Sequence, residues 1–305
     1  MTTEGLPAAL DHRRFHRPGP RAMGSVWPRL LFGRTVTRTM ERLRGIPPGS
    51  WLHRRLRAQT EYSSTDVALR RGELGLDGLT IAFVSDVHAG FYMTLADLEQ
   101  LGARLAALAP DLVCLGGDLI ATRESEIRML APLLRLLEPP LGTFAVPGNH
   151  ECFYLRGDLS RWRSFLQDHG VRTLINEGVR VERDGASLWL AGVDDYGEGT
   201  PDQAAALSGR ARDEPAVLLS HHPDYALHLP STEVDLVLSG HTHGGQIALG
   251  PWAPITHSRH GHRAGLYALE DAQLYVGRGV GVSFLPLRIG SRPEVALLRL
   301  RRSGC

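Results

Sequence analysis

The sequence predicts a layered α/β fold, in which helices cover β-sheets. Short apolar runs recur along the chain and are typical of strands that are buried on both faces. Segments with apolar residues at helical spacing lie between several of these runs. The chain has 305 residues, of which 43% are hydrophobic, and this is enough to bury a large core. We expect one domain, residues 61–303, after an N-terminal extension, residues 1–60.

Five apolar runs come directly before polar residues, and each is predicted to be a strand. They cover residues 81–84, 112–115, 143–146, 217–219 and 236–238. Five further strands are expected at residues 180–182, 188–191, 266–268, 274–276 and 294–300. Between them, Thr94 is predicted to cap a helix that runs to Ala107, because Asp97 follows three residues later as in a capping box. Further helices are predicted over residues 127–137 and 161–169.

The N-terminal extension is rich in arginine. Over residues 27–46, apolar residues recur at helical spacing, while Arg34, Arg38 and Arg42 lie off the apolar stripe. A basic amphipathic helix of this kind can lie on an anionic membrane surface. Docking on the domain, or a loosely ordered segment, is the alternative. No apolar run reaches the ~18 residues of a membrane span, so we expect a cytoplasmic protein, with peripheral contact at the inner face of the membrane left open.

Composition argues against nucleic-acid binding and against a disulfide-stabilised protein. The formal net charge is +1, so the overall charge does not predict a nucleic-acid partner. The domain has no basic stripe or aromatic platform, which disfavours a nuclease. Three cysteines are too few, and odd in number, for a disulfide framework, so either a reducing compartment or no redox role for the cysteines is expected.

A polar motif follows each of the first five predicted strands. The motifs are Asp86-Val87-His88, Gly117-Asp118, Gly148-Asn149-His150-Glu151, His221-His222-Pro223 and Gly240-His241-Thr242-His243. The carboxyl ends of strands in α/β sheets open into the crevice that binds ligands, so we expect these side chains to meet there. Carboxylate and imidazole groups suit Mn²⁺, Zn²⁺ or Fe²⁺. Two such ions about 3.5–4 Å apart can clamp a displacement at phosphorus, and Asp118 is the best candidate for a bridging carboxylate between them.

Each motif also has a structural reading when it is taken alone. A Gly-Asp pair after a strand is usually a turn, and Asn149 and Glu151 can cap a helix. Two histidines in a glycine-rich turn, as at residues 240–244, have little packing purpose. All of the structural readings would have to hold together, in this order along the chain, to exclude a metal site.

In this order the motifs resemble those of the calcineurin-like metallophosphoesterase superfamily, whose pattern is D-x-H, G-D, G-N-H-[ED], H and G-H-x-H. The resemblance covers about residues 62–300. It implies a four-layer sandwich of two central mixed β-sheets flanked by helices. The segment from Tyr275 to Glu294 is similar to the bacterial branch that includes phosphodiesterases and UDP-diacylglucosamine pyrophosphatases.

The resemblance also implies the roles of the site residues. One divalent ion would be held by Asp86, His88, Asp118 and His243. The second would be held by Asp118, Asn149, His221 and His241. His150 would be the catalytic histidine beside the scissile phosphate. Of the adjacent pair, His221 takes the family's ligand position, so His222 is expected to point elsewhere, toward the substrate rim. Mn²⁺ is the expected metal, with Zn²⁺ or Fe²⁺ as alternatives.

The expected function is a dinuclear metal-dependent phosphoesterase that uses a metal-activated hydroxide to hydrolyse a phosphodiester or pyrophosphate bond. The substrate would be a small molecule or a lipid-linked compound. A non-catalytic scaffold of the same fold is the alternative, and the complete ligand set argues against it. Two further features stay open: His257, His260 and His262 form either a second metal site or, as we favour, a rim loop, and Arg278 and Arg288 are placed where a guanidinium could grip a phosphate.

Overall fold

The computed structural model describes residues 60–71, 74–229, 233–249, 253, 256–270, 272–283 and 287–302. The predicted basic helix over residues 27–46 lies outside the described residues, as does nearly all of the predicted extension. The boundary at residue 60 therefore stays a prediction.

The first of two six-stranded sheets contains the strands that lead to the first three motifs. Its members are β1 (Glu61–Leu69), β2 (Thr80–Val84), β3 (Leu112–Leu115), β4 (Thr143–Ala145), β5 (Val171–Thr173) and β12 (Glu294–Arg302). They lie in the order β1-β12-β2-β3-β4-β5. Strands β2 to β5 run parallel, and β12 is antiparallel to β2 but parallel to β1. The sheet is therefore mixed.

The second sheet carries the last two motifs. Its strands are β6 (Glu177–Arg183), β7 (Ala186–Gly192), β8 (Ala216–Leu219), β9 (Leu236–Ser239), β10 (Gly265–Ala268) and β11 (Gln273–Val276). They lie in the order β10-β11-β9-β8-β7-β6. The four inner strands are parallel, and the two outer strands are antiparallel to their neighbours. This sheet is mixed as well.

Among the described residues, the α-helices are short apart from the first. They are α1 (Leu95–Ala107), α2 (Ala131–Leu134), α3 (Asn149–Tyr154), α4 (Ser160–Asp168) and α5 (Gln203–Ala206). The predicted capping box is confirmed, since the Thr94 hydroxyl accepts the amide of Asp97 and the Asp97 carboxylate accepts the amide of Thr94. The predicted helix over residues 127–137 is confirmed as a helical segment but not as one continuous α-helix. A 3-10 helix (Glu124–Leu130) leads into the single turn of α2, because Pro132 lacks an amide hydrogen and cannot continue a helix that starts upstream.

Alternating side chains on the strands create the layers. On β2, Ile81 and Phe83 pack between the two sheets, whereas Ala82 and Val84 face the helical layer that contains α1, α2 and α4. The outer face of the second sheet packs beneath α5 and the 3-10 helix Pro223–His228. These four layers confirm the predicted sandwich of two mixed sheets flanked by helices.

The strand register brings the motif-bearing ends to a common edge. Val84 pairs with Leu115, and Leu115 pairs with Ala145, so β2, β3 and β4 end side by side. In the second sheet, Leu219 pairs with Leu238, and β8 and β9 end together in the same way. Across the described part of the chain, no helix has both the length and the apolar character needed to cross a membrane.

Candidate metal centre

The backbone turns sharply at the residues expected to bind metal. Asp86, His88, Asp118, His241 and His243 all have left-handed φ angles, between 47° and 71°. Residues other than glycine rarely adopt this conformation, and it persists where the surrounding structure enforces it, often at functional sites. The turns direct these side chains into one cluster at the ends of β2, β3 and β9.

Two glycines allow the loops to approach closely. A Cβ atom at Gly148 would lie 2.2 Å from Asp118 Oδ1, and one at Gly240 would lie 2.5 Å from Asp86 Oδ2. Any other residue at these positions would push the neighbouring carboxylate away. The glycines in the G-N-H and G-H-x-H motifs are therefore required because the candidate metal-binding side chains leave no space for a Cβ atom.

The first candidate group for a metal ion consists of Asp86, His88 and His243, and all three side chains are buried. His243 Nε2 lies 3.4 Å from Asp86 Oδ1 and 3.1 Å from His88 Nε2. Asp86 is held from behind by the hydroxyl of Ser85 at 2.6 Å and by the amide of His241 at 3.1 Å. Donor atoms from the β2 and β9 ends thus converge on one point.

Asp118 connects this group to the others. Its Oδ2 atom lies 3.3 Å from His221 Nε2 and 3.8 Å from the Nε2 atoms of both His88 and His150. Asp118 belongs to two candidate metal-binding groups, one with His88 and His150 and one with His221 and His241. Its Oδ1 atom accepts the amide of His150 at 2.8 Å. A single carboxylate therefore stands between two sets of potential ligands.

The hydrogen bonds of His221 and His241 suit metal binding. His221 Nδ1 lies 2.7 Å from the Gly116 carbonyl oxygen and donates to it, so in the neutral ring Nε2 keeps its lone pair. His221 Nε2 is buried and makes no hydrogen bond within the described residues. His241 Nδ1 lies 2.8 Å from Asn149 Oδ1, so these two atoms are close enough to contact the same ion. The donor set fits a divalent cation.

Burial, together with neighbouring charges, controls the charge states of the cluster. It lowers the pKa of His88 to about 3 and holds the pKa values of His241 and His243 well below the usual range. These imidazoles are therefore neutral and can offer a lone pair. Burial would raise the pKa of Asp118, but the nearby His150 and His221 outweigh it and hold that pKa well below its ordinary value. Burial likewise opposes protonation of His221, but Asp118 raises its pKa well above normal.

Glu151 has a larger role than the predicted helix cap. Its carboxylate accepts the Gly148 amide at 2.9 Å, which confirms the cap, and it also accepts the amides of Asp118 at 2.8 Å and Ile120 at 2.9 Å. The side chain is fully buried. Burial, and then the charge of Asp118, raise the pKa of Glu151 to about 7. Glu151 therefore connects the Asp118 loop to the start of α3. Its place in the G-N-H-[ED] motif marks the residue as important, but the motif does not indicate which amides it binds.

His150 lies at the edge of the cluster with 19% of its side chain exposed. Its Nδ1 atom donates to the Ala121 carbonyl oxygen, and its ring packs edge-on against His88, with centroids 4.4 Å apart. Nε2 is the atom that lies toward Asp118. This position allows His150 either to bind an ion or to face a substrate held beside the ions.

Both tail arginines have protein partners in the structure. Arg288 is buried and donates to the carbonyl oxygens of Arg278 at 2.7 Å and Gly281 at 2.9 Å. Arg278 pairs with Glu294 at 3.1 Å and Glu61 at 2.9 Å. Arg288 thereby fastens the segment whose Gly281 amide donates to the Asp86 carbonyl oxygen.

Four histidines outside the proposed ligand sets lie near the centre or on the loop that follows it. His222 packs against His241, with ring centroids 4.3 Å apart, and its Nδ1 atom accepts the amide of Asp224. Within the described residues, no candidate metal-binding group includes His257, His260 or His262. The three lie on a loop, as favoured from the sequence, but His257 reaches the cluster, with its ring 5.6 Å from that of His241. A list of motifs could not reveal this contact.

Comparison with known proteins places the chain among phosphoesterases. The sequence profile described as calcineurin-like phosphoesterase matches residues 79–245, which include all five motifs. The chain belongs to this family. It is therefore a metallophosphoesterase, a hydrolase whose family uses divalent metal ions, and the cluster around Asp118 is its candidate metal-binding site.

Curated relatives agree with this assignment. The metallophosphoesterase YkuE of Bacillus subtilis, described as uncharacterized, is 34% identical over 236 residues, which cover 75% of this chain and 82% of the relative. A transmembrane protein with metallophosphoesterase domain from Bos taurus is 33% identical over 256 residues, which cover 78% of this chain but only 56% of the relative. An uncharacterized metallophosphoesterase of Helicobacter pylori is 33% identical over 229 residues, or 73% of this chain and 60% of the relative.

Proposed function

We propose that the chain hydrolyses a phosphodiester or pyrophosphate bond with two divalent ions bound in this centre. The observation that most supports the proposal is the position of Asp118. Its carboxylate lies between His88 and His221, which belong to different candidate groups. One bridging carboxylate is what a pair of closely spaced cations requires, and such pairs stabilise in-line displacement at phosphorus.

The proposed ligands form two sets, and Asp118 belongs to both. Asp86, His88 and His243 would hold the first ion together with Asp118. Asn149, His221 and His241 would hold the second ion, also with Asp118. When bound, the ions supply Lewis acidity to the phosphoryl oxygens and make a water at the site more acidic. We propose Mn²⁺, with Zn²⁺ and Fe²⁺ as alternatives that the carboxylate and imidazole ligands also suit.

His150 is proposed to act on the substrate. The hydrogen bond from its Nδ1 atom to Ala121 fixes the ring orientation. Nε2, when protonated, can donate to a phosphoryl oxygen as negative charge develops, or protonate the leaving oxygen. The cluster also argues against a non-catalytic scaffold, because buried polar side chains without a bound ion cost folding stability.

The test is an activity screen of the purified full chain. Aryl phosphodiesters, nucleotide sugars and glycerophospholipids would each be offered with Mn²⁺, with a chelator, and with Mn²⁺ restored. Hydrolysis that the chelator abolishes and Mn²⁺ restores is expected, with Asp86→Asn inactive and the exposed Asp213→Asn unchanged. Hydrolysis that persists in the chelator, or an Asp86→Asn variant of full activity, would refute the proposal.

We further propose a small-molecule or lipid-linked substrate for a cytoplasmic enzyme, with no nucleic-acid partner, that contacts the membrane through residues 27–46. Two vertebrate relatives, from Bos taurus and Danio rerio, are each named a transmembrane protein with metallophosphoesterase domain. The full chain should sediment with anionic vesicles, and the triple variant Arg34→Gln, Arg38→Gln and Arg42→Gln should do so less. Equal sedimentation of the two proteins would refute the membrane contact.

A further inference from the structure

A loop that follows the last metal motif passes beside the centre. Residues 256–264 contain the three histidines 257, 260 and 262, and we name this segment the histidine loop. Asp224 holds its first part, since its carboxylate accepts the hydroxyl of Ser258 at 2.6 Å and the amide of Arg259 at 2.8 Å. Thr242, which lies between His241 and His243, holds the last part by donating to the Arg263 carbonyl oxygen at 2.6 Å. The loop is therefore fastened at both ends.

His257 is the member of the histidine loop that reaches the centre. Its backbone has a left-handed φ of 52°. Its ring meets the edge of His241, with centroids 5.6 Å apart, while the residue as a whole is accessible to solvent. His262 instead packs its ring on Tyr267, and neither His262 nor His260 makes a ring contact with a proposed ligand among the described residues. The loop thus presents one imidazole beside the second ion's ligands.

A phosphate held in this centre needs donors from the protein. The chain has no lysine. Arg278 and Arg288, the arginines that the sequence suggested for a phosphate, donate to protein acceptors. An imidazole N–H group can supply such a donor. His150 stands on the side of the first candidate group, against His88, and His257 stands on the side of the second, against His241.

We propose that His257 contacts the substrate, donating a hydrogen bond from its imidazole to a non-bridging oxygen of the phosphoryl group bound at the second ion. This inference rests on the proposed function, because it needs a phosphoryl group in the centre. His257 lies outside the family's motifs, and it would make the histidine loop part of the substrate-binding site. Inorganic phosphate is the simplest ligand that should detect the contact.

The test compares His257→Ala with His260→Ala in the full chain loaded with Mn²⁺. His260 is a matched control, since it is an exposed histidine three residues along the same loop. A second variant, His257→Asn, covers the risk that alanine strains the left-handed backbone, because asparagine adopts this conformation readily and its amide reaches less far. Three quantities are measured for each protein: bound metal, the Kd of inorganic phosphate by calorimetry, and the KM for an aryl phosphodiester.

Loss of a hydrogen bond to a charged group should weaken phosphate binding about tenfold in both His257 variants and raise KM in the same direction. Metal content should match the wild type, and His260→Ala should be unchanged. Phosphate binding within twofold of the wild type in both His257 variants would overturn the inference, as would loss of metal. Calorimetry needs no turnover, so a wild type that binds phosphate but cleaves no ester would refute the proposed function while still testing this contact.

Discussion

Substitution of Gly148 by alanine should displace the bridging carboxylate. Gly148 has an extended backbone, with φ −109° and ψ −176°, so alanine itself is not strained there. The added Cβ would lie 2.2 Å from Asp118 Oδ1 and 2.5 Å from the Asp118 amide nitrogen. The Asp118 loop and the start of α3 therefore have to separate. This movement also threatens the hydrogen bond from the His150 amide to Asp118 Oδ1.

The size of the effect follows from these distances. A Cβ atom needs roughly 3 Å from its neighbours, so a shift of roughly 1 Å is required, and misplacement of that size at a reacting centre can cost about 10²-fold in rate. Crowding of a packed site typically costs about 1–3 kcal/mol of stability. We expect Gly148→Ala to lose about 10²-fold in kcat/KM, to bind metal more weakly, and to melt a few degrees lower.

Gly197→Ala is the matched control for this substitution. Gly197 also lies in a loop, and a Cβ atom there would meet only Asp195 Oδ1, at an ordinary contact distance of 3.4 Å. Metal content, kcat/KM and the melting temperature would be measured for both variants. If Gly148→Ala kept two ions and turned over within threefold of Gly197→Ala, the close approach of Gly148 to Asp118 would not be needed for function.

Three further predictions concern individual site residues. Asp118→Asn should lose more metal and more rate than Asn149→Ala, because Asp118 would contact both ions; equal losses in the two variants would contradict the bridge. His150→Gln should lose about 10²–10⁴-fold in rate while keeping both ions, and less with a nitrophenolate leaving group; loss of metal would make His150 a ligand. Metal binding at pH 7 should release a proton from His221, whose pKa Asp118 raises well above normal against the effect of burial. Calorimetry in buffers of different ionisation enthalpy would show that release, and buffer-independent heats would contradict it.

The strands that lead to the motifs were predictable because they are short and buried on both faces. An apolar run such as Leu112–Leu115 has no exposed position to interrupt it. By contrast, β6 (Glu177–Arg183) extends beyond its predicted core, since most of its side chains are partly exposed and its ends carry charge. The position of β12 between β1 and β2 could not be predicted, because it depends on pairing between residues more than two hundred positions apart.

The candidate site likewise has a part that the sequence predicts and a part that it does not. The eight predicted site residues lie in the motifs, and the structure brings them together at one edge. What the sequence could not indicate depends on contacts between loops. Glu151 captures amides of the Asp118 loop, Arg288 is occupied by backbone carbonyl groups, and His257 reaches His241 only because Asp224 and Thr242 fasten its loop. None of these contacts has a fixed spacing along the chain that a motif could record.

The central claim is that two ions share Asp118, and the most direct measurement is a Mn²⁺ titration of the metal-free full chain followed by electron paramagnetic resonance. Two ions about 3.5–4 Å apart are expected to be magnetically coupled. We predict binding of about two Mn²⁺ ions per chain with a coupled spectrum, and loss of the coupling in Asp118→Asn. Saturation at one ion, or two ions with the spectrum of isolated Mn²⁺, would contradict the account.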